Sequence, residues 1–205
     1  MASTARSSGA PTARRQEVEA SLLEATEELL AEGQPFADLS VERIATRAGI
    51  SRTAFYFYFA DKNELLVRLI SDVNALILEL ADLWWGRDGS PADRVREALA
   101  NTLAIYREHA FLLRAVVEAA AWDEQVAGHR RTLVNRVAEV TERHIEEENA
   151  AGSASCPHPR QTALALTWMT DSAFLQSEGS APRADDRELI EALTSIWVRA
   201  IYGAG

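Results

Sequence analysis

Apolar residues recur at spacings of three and four between residues 65 and 84, and this run constrains the fold more than any other feature. Such spacing places the apolar side chains along one side of an α-helix of about six turns. Asp61, with Glu64 three residues later, is typical of a capping box at a helix start. Charged residues interrupt the run, so it cannot span a membrane: Arg68, Asp72, Glu79 and Asp82.

The rest of the chain has the same helical spacing, and no convincing segment alternates apolar and polar residues as a half-buried strand does. Gly33 and Pro35 can end a first helix, and Ser40 and Ser51 can each cap a short one. The fold class is therefore predicted to be all-α with about nine helices. These are residues 14–32, two short helices after Ser40 and Ser51, a long helix from residue 61, and helices over residues 92–107, 111–121, 124–149, 160–177 and 185–202.

The aromatic run at residues 55–59, Phe-Tyr-Phe-Tyr-Phe, has the composition of a β-strand. It follows the Ser51 cap closely, has no partner strand elsewhere in the chain, and precedes the helix start at Asp61. We therefore predict that the run does not form a strand.

Composition limits the partners of the chain. Its 205 residues, 47% of them hydrophobic, suffice for one fold or for a small domain fused to a larger one. The 21 basic and 31 acidic residues give a net charge of −10, which argues against indiscriminate coating of nucleic acid. Between residues 43 and 60, however, Arg43, Arg47 and Arg52 occur without an acidic residue. Because salt screens charges beyond about 10 Å, a local basic surface can act despite the acidic total.

The segment from Ser40 to Phe59 has the features of a helix-turn-helix. Ala45 is small enough for a second helix to cross at close range, and Gly49 allows the positive φ of a tight turn. The second helix would expose Arg52 and Thr53 at its N-terminal end, where a major-groove helix meets base edges. Hydroxyls and a cation suited to phosphates follow: Tyr56, Tyr58 and Lys62.

Residues 50–66, Ile-Ser-Arg-Thr-Ala-Phe-Tyr-Phe-Tyr-Phe-Ala-Asp-Lys-Asn-Glu-Leu-Leu, resemble the DNA-binding signature of the TetR family of bacterial transcriptional regulators. The resemblance implies that Arg52 and Thr53 contact bases. It implies phosphate contacts from Ser40, Ser51, Tyr56, Tyr58 and Lys62. Phe57 departs from the polar residue that is frequent at its position, which leaves packing against a sugar or a thymine methyl. For Arg43 and Arg47, long-range phosphate contacts and a solvated helix face are equally consistent with the sequence.

Residues 165–175 and 193–203 resemble the last two helices of the ethionamide-resistance-repressor branch of that family. The resemblance implies a hydrophobic ligand channel in the C-terminal domain and a homodimer formed by the last two helices. Thr167, Thr170, Phe174 and Trp197 would line the channel, with threonines at two places where the branch has amides. Residues on other predicted helices complete the candidate pocket: Tyr106, Trp122, Val134, Val137 and Thr141.

We therefore expect three segments: a flexible arm at residues 1–13, a helix-turn-helix domain at 14–60, and a ligand-binding and dimerisation domain at 61–205, whose first helix links the two. Arg6 in the arm, with Arg14 and Arg15 at the start of the first helix, could enter a minor groove or have no role. The arm lacks the apolar core of a signal peptide, so we expect a cytoplasmic location without membrane association. A single cysteine, Cys156, excludes an internal disulfide.

No catalytic or nucleotide-binding motif and no metal-ligand spacing among the four histidines occurs in the chain, so we expect neither enzymatic activity nor a cofactor or metal. The sequence predicts a ligand-responsive regulator, a repressor released from a palindromic operator by a small hydrophobic molecule. Two alternatives from other classes stay open. One is a helical enzyme with a buried pocket, and the other is a protein-interaction or ligand-carrier module with vestigial DNA binding.

Overall fold

The computed structural model of the protein describes residues 13–83, 89–177 and 184–203. Within these ranges the chain is helical and has no strand, so the predicted all-α class is confirmed. The α-helices are α1 (Ala13–Ala31), α2 (Val41–Arg47), α3 (Arg52–Phe55), α4 (Lys62–Leu83), α5 (Pro91–Glu108), α6 (Ala110–Ala120), α7 (Glu124–Ala150), α8 (Pro159–Ser177) and α9 (Ala184–Tyr202). No helix in the described part of the chain is long and apolar enough to cross a membrane.

The chain divides into two compact units, residues 1–66 and 67–205, with the division inside α4. The sequence placed the boundary before residue 61, where the helix begins. The first turn of α4 belongs to the first unit because Leu65 and Leu66 are fully buried there and Lys62 bonds to backbone carbonyls of residues 36–39. Apart from residue 13, the predicted flexible arm lies outside the described residues.

The first unit packs α1, α2 and α3 around an apolar core, together with the start of α4. Fully or almost fully buried side chains come from each element: Leu22, Leu29, Phe36, Leu39, Ile44 and Phe55. A short 3-10 helix, Phe36–Asp38, lies between α1 and α2 and was not predicted. The aromatic run forms no strand, as predicted, because α3 ends at Phe55 and the amides of Phe57 and Tyr58 bond back to Ala54 and Phe55.

The second unit is a bundle in which α7 packs on α6 and α8, and α5 packs on α9. Local chemistry explains where its helices begin. Ser90 and Asp123 cap α5 and α7 by accepting the amides of Asp93 and Val126. The buried side chains come from all of the helices α4 to α9: Val73, Val95, Leu112, Ile145, Phe174 and Ile201 are examples.

Candidate nucleic-acid interface and apolar cavity

Two serine caps and one glycine fix the geometry of the α2–α3 pair. Ser40 Oγ accepts the amide of Arg43 at 3.2 Å, and Ser51 Oγ accepts the amide of Ala54 at 3.1 Å. Between the helices Gly49 has φ of +72°, which favours glycine over residues with a side chain. The Ile50 amide bonds to the Ala45 carbonyl at 2.9 Å and closes the turn. This is the tight turn predicted for a helix-turn-helix.

The same pair separates a buried face from an exposed one. Ile44, Ala45 and Phe55 are completely buried. Arg52 and Thr53, at the first two positions of α3, are exposed. The remaining predicted DNA contacts before α4 are exposed or half-buried: Ser40, Ser51, Tyr56, Phe57 and Tyr58. The ring of Phe57 is 76% exposed, which is unusual for a large apolar side chain and leaves it available for an external contact.

Arg47 is engaged within the first unit. Its guanidinium pairs with Glu28 at 3.1 Å and with Glu32 at 2.9 Å, both on α1. The hydrogen bond from Arg47 lowers the pKa of Glu32, and the hydrogen bond to Glu32 raises the pKa of Arg47. The pairing ties α2 to α1 and gives Arg47 a structural role that needs no contact with DNA. Arg43, in contrast, is exposed.

Lys62, a predicted phosphate contact, bonds to the protein itself in this structure. Its Nζ donates to the carbonyls of Phe36, Ala37 and Leu39 at 2.8, 2.9 and 2.9 Å. An ammonium has three protons, so these bonds use all of its donors. The ammonium therefore holds the 3-10 helix in place. The backbone N–H groups at the N-terminus of α4 remain to face an anion.

Tyr58 has a neighbour from α1. The guanidinium of Arg15 lies over its ring, 5.9 Å from the centroid, and also pairs with Glu19 at 2.9 Å. Arg15 is thus placed beside one of the predicted phosphate contacts, in the first turn of α1.

A cavity lies inside the second unit, among α4, α5, α7, α8 and α9. Its volume is about 70 Å³, room for a few water molecules or a small apolar group. Eight of the nine candidate pocket residues line it: Tyr106, Val134, Val137, Thr141, Thr167, Thr170, Phe174 and Trp197. Seven further lining residues were missed by the sequence analysis: Ile77, Ala81, Ala98, Leu99, Thr102, Leu133 and Asp171. Five of them are apolar, and apolar residues at helical spacing look the same whether they face a cavity or a neighbouring side chain.

Trp122 does not belong to this cavity. α6 ends at Ala120, and Trp122 lies in the turn before α7 with its side chain 89% exposed. The prediction treated it as part of the apolar set, but the turn directs the indole away from the bundle.

The polar groups around the cavity mostly bond to the protein itself. Trp197 Nε1 donates to Thr170 Oγ1 at 3.0 Å, and Thr167 Oγ1 donates to the Ala163 carbonyl at 2.8 Å. The Tyr106 hydroxyl donates to Asp171 Oδ1 at 2.9 Å, and Arg130 pairs with the other carboxylate oxygen. A guest in the cavity would therefore meet a largely apolar lining.

No group of three or more potential metal ligands lies together among the residues described.

Comparisons with known proteins cover most of the chain. Residues 22–69 match the family described as bacterial regulatory proteins, tetR family, and residues 95–203 match the C-terminal domain of transcriptional regulator EthR. The HTH-type transcriptional regulator EthR of Mycobacterium tuberculosis is 32% identical over 190 residues, covering 87% of this chain and 85% of the relative.

Solved structures show the same fold. A TetR-family regulator from Mesorhizobium loti superposes with a TM-score of 0.72 at 19% identity, covering 94% of this chain and 100% of that one. GusR of Salmonella enterica also gives a TM-score of 0.72, at 16% identity, covering 90% of this chain and 95% of that one.

Proposed function

This chain belongs to the TetR family and is a DNA-binding transcriptional regulator rather than an enzyme, and we propose that it acts as a homodimeric repressor that a small apolar molecule releases from a palindromic operator. The observation that carries the proposal is the exposed start of α3, held at a fixed angle to α2 by the Gly49 turn and a buried core. A helix presented in this way fits the major groove, where each base pair has its own pattern of donors and acceptors.

Base reading is assigned to Arg52 and Thr53. Both are exposed in the first turn of α3, and Arg52 has no ion-pair partner among the residues described. A guanidinium can donate two hydrogen bonds to guanine O6 and N7. Phe57 adds an apolar contact with a sugar or a thymine methyl group.

Phosphate binding is assigned to hydroxyl groups around the pair. As N-caps, Ser40 and Ser51 accept amide protons through their lone pairs, so each hydroxyl proton can still be donated to a phosphate oxygen. Tyr56, which is half-exposed, and Tyr58, which lies under Arg15, supply two more hydroxyls. These contacts would orient α3 without reading sequence.

The dimer is assigned to α8 and α9. Leu164 and Ile196 on these helices are 41% and 45% exposed, which is high for large apolar side chains. Pairing these surfaces across a two-fold axis would bury them and would present two copies of α3 to a palindrome.

Ligand release is proposed to be a shift between two conformations. Pockets that enclose drug-sized ligands measure about 300–1,000 Å³, so a ligand of that size needs a larger cavity than the one described. It would therefore favour an expanded conformation of the second unit. The resulting change in the free energy of operator binding cannot exceed the difference between the ligand's binding free energies for the two conformations. Because α4 begins in the first unit and continues into the second, it is the element that can carry the change.

Selection of random duplex DNA by the purified protein, followed by a salt titration of the selected site, tests the proposal. We expect a palindromic sequence whose binding constant falls steeply with salt concentration, since phosphate contacts release counterions. Failure of the folded dimer to enrich any sequence would reject operator recognition and would favour a ligand-carrier or protein-interaction module.

A further inference from the structure

A second cavity, outside the apolar one, lies in the groove between α4 and α7 of the second unit. Its volume is about 390 Å³, several times that of the inner cavity. The side chains that line it recur at helical spacing on both helices: Ser71, Asn74, Ala75 and Leu78 on α4, and His129, Thr132, Leu133 and Arg136 on α7.

The charge of this groove is opposite to that of the protein. The chain has a net charge of −10, yet none of the residues lining the groove is acidic, and one of them, Arg136, carries a permanent positive charge. Arg136 is exposed and has no ion-pair partner among the residues described. A guanidinium of this kind is suited to a carboxylate, which it can bind through two parallel hydrogen bonds.

A polar pair also lines the groove, with Asn74 on α4 and His129 on α7. Asn74 Nδ2 and His129 Nε2 lie 3.0 Å apart in a hydrogen bond. Asn74 is buried, with only 8% of its surface exposed. Its Oδ1 has no partner among the described residues. A buried amide atom without a partner is unfavourable, and a polar guest or water entering the groove can relieve it.

Leu133 is the residue that the two cavities share. It lines both the groove and the inner cavity. Inside, the carboxylate of Asp171 is the charged group among the lining residues, and Arg130 already neutralises it. A second carboxylate would meet a like charge there, whereas a hydrocarbon chain would meet a lining that is mostly apolar.

We propose that the groove between α4 and α7 binds the carboxylate of an amphipathic monocarboxylic acid at Arg136, and that the hydrocarbon chain of the acid passes Leu133 into the inner cavity. The inference rests on the proposed function, because it names the chemical class of the ligand that the inner cavity takes. It also explains how a ligand larger than the inner cavity is accommodated, since the groove holds its polar end.

Isothermal titration calorimetry of the full chain with octanoate, butanoate and uncharged octanol tests the proposal. We expect octanoate to bind more tightly than octanol, because only octanoate pairs with Arg136, and more tightly than butanoate, because only the longer chain passes Leu133. The Arg136→Gln variant should bind octanoate about tenfold more weakly, the effect of losing a charge-assisted hydrogen bond, and should bind octanol as before.

Arg131→Gln is the matched control, since it removes the same charge from an exposed position on the same helix that does not line the groove. It should leave octanoate binding unchanged. Leu133→Trp should abolish the advantage of octanoate over butanoate, while Leu133→Ala should retain or increase it. Equal losses in the two arginine variants, or no binding of octanoate to the folded wild type, would overturn the inference.

Operator binding separates this inference from the proposed function. If the protein selects an operator and octanol releases it while Arg136→Gln changes no affinity for octanoate, the regulator is real and the carboxylate site is rejected. If no operator is selected but Arg136 still controls octanoate binding, the site is real and the repressor proposal is rejected.

Discussion

At the residue scale, Lys62 shows how the same side chain can suit two different roles. A lysine at the start of a helix next to a DNA-binding motif is expected to hold a phosphate, but here its three protons are donated to three backbone carbonyls. These carbonyls lie 23 to 26 residues earlier in the chain. Because the partners are distant in sequence, spacing alone could not reveal them.

We predict that Lys62→Met lowers the free energy of unfolding by about 1–3 kcal/mol, the cost of leaving partly buried acceptors without donors. Thermal and urea unfolding would measure the loss. The slope of log K against log salt for operator binding should stay the same, because no phosphate contact is removed. A slope smaller by about one, with unchanged stability, would instead assign Lys62 to a phosphate.

Substitutions of Arg52 and Arg47 are predicted to affect base preference differently, although both arginines lie in the α2–α3 pair. Arg52→Ala should weaken operator binding by about 1–3 kcal/mol and relax the preference at one base pair, because a bidentate contact is lost. Arg47→Ala removes pairs with Glu28 and Glu32 on the protein itself and should leave base preference unchanged. Repeating the duplex selection with each variant measures this, and a changed preference in Arg47→Ala would contradict the assignment.

At the scale of elements, local sequence signals predicted the helices well. The capping residues Ser40 and Ser51 begin α2 and α3 where the pattern indicated. The 3-10 helix escaped prediction because three bonds from Lys62 stabilise it, and these depend on tertiary structure.

The cavity was predicted less completely, for a related reason. Resemblance located its wall on α8 and α9 through residues such as Thr170 and Trp197. Ile77, Ala98 and Leu99 were missed, because whether an apolar residue packs tightly or borders empty space is decided by the packing of several helices. Asp171 was missed because its partners, Tyr106 and Arg130, lie 65 and 41 residues away.

The end of α9 is predicted to make stability sensitive to alkaline pH. Burial, aided by the charge of Glu148 and opposed by that of Arg94, raises the pKa of Tyr202 to about 12 from its ordinary value of 10.0. Between these values the unfolded chain loses the tyrosine proton first, so the stabilisation present below pH 10.0 is lost as pH rises through about 12. Urea unfolding across this range should show a shallower decline for Tyr202→Phe, and identical declines would exclude Tyr202 as a contributor.

At the scale of the whole molecule, the acidic chain must still approach a polyanion. The net charge of −10 opposes association at long range, but beyond about 10 Å it is largely screened at ordinary salt. Recognition therefore depends on the local surface around α3, where Arg52 and the capping serines lie, and on the proposed dimer, which doubles that surface.

Dissociation of the proposed dimer should weaken operator binding. Ile196→Glu places a charge on the exposed apolar surface of α9, where Ile196 is 45% exposed, so the variant should fold but dissociate. Sedimentation velocity should show a monomer. Operator affinity should fall by about 10²–10⁴-fold, because two linked half-site contacts become independent ones.

Val117→Glu provides the control, since Val117 is an apolar residue of α6 with 41% exposure and lies outside the last two helices. The same change of an exposed apolar side chain to a carboxylate should there leave both the dimer and operator affinity unchanged. If Val117→Glu dissociates the protein while Ile196→Glu does not, the interface includes α6 instead, and the spacing of the two α3 helices would have to be set by a different pair of surfaces. If both variants remain dimeric, neither surface forms the interface, and the paired-helix arrangement is rejected for this chain.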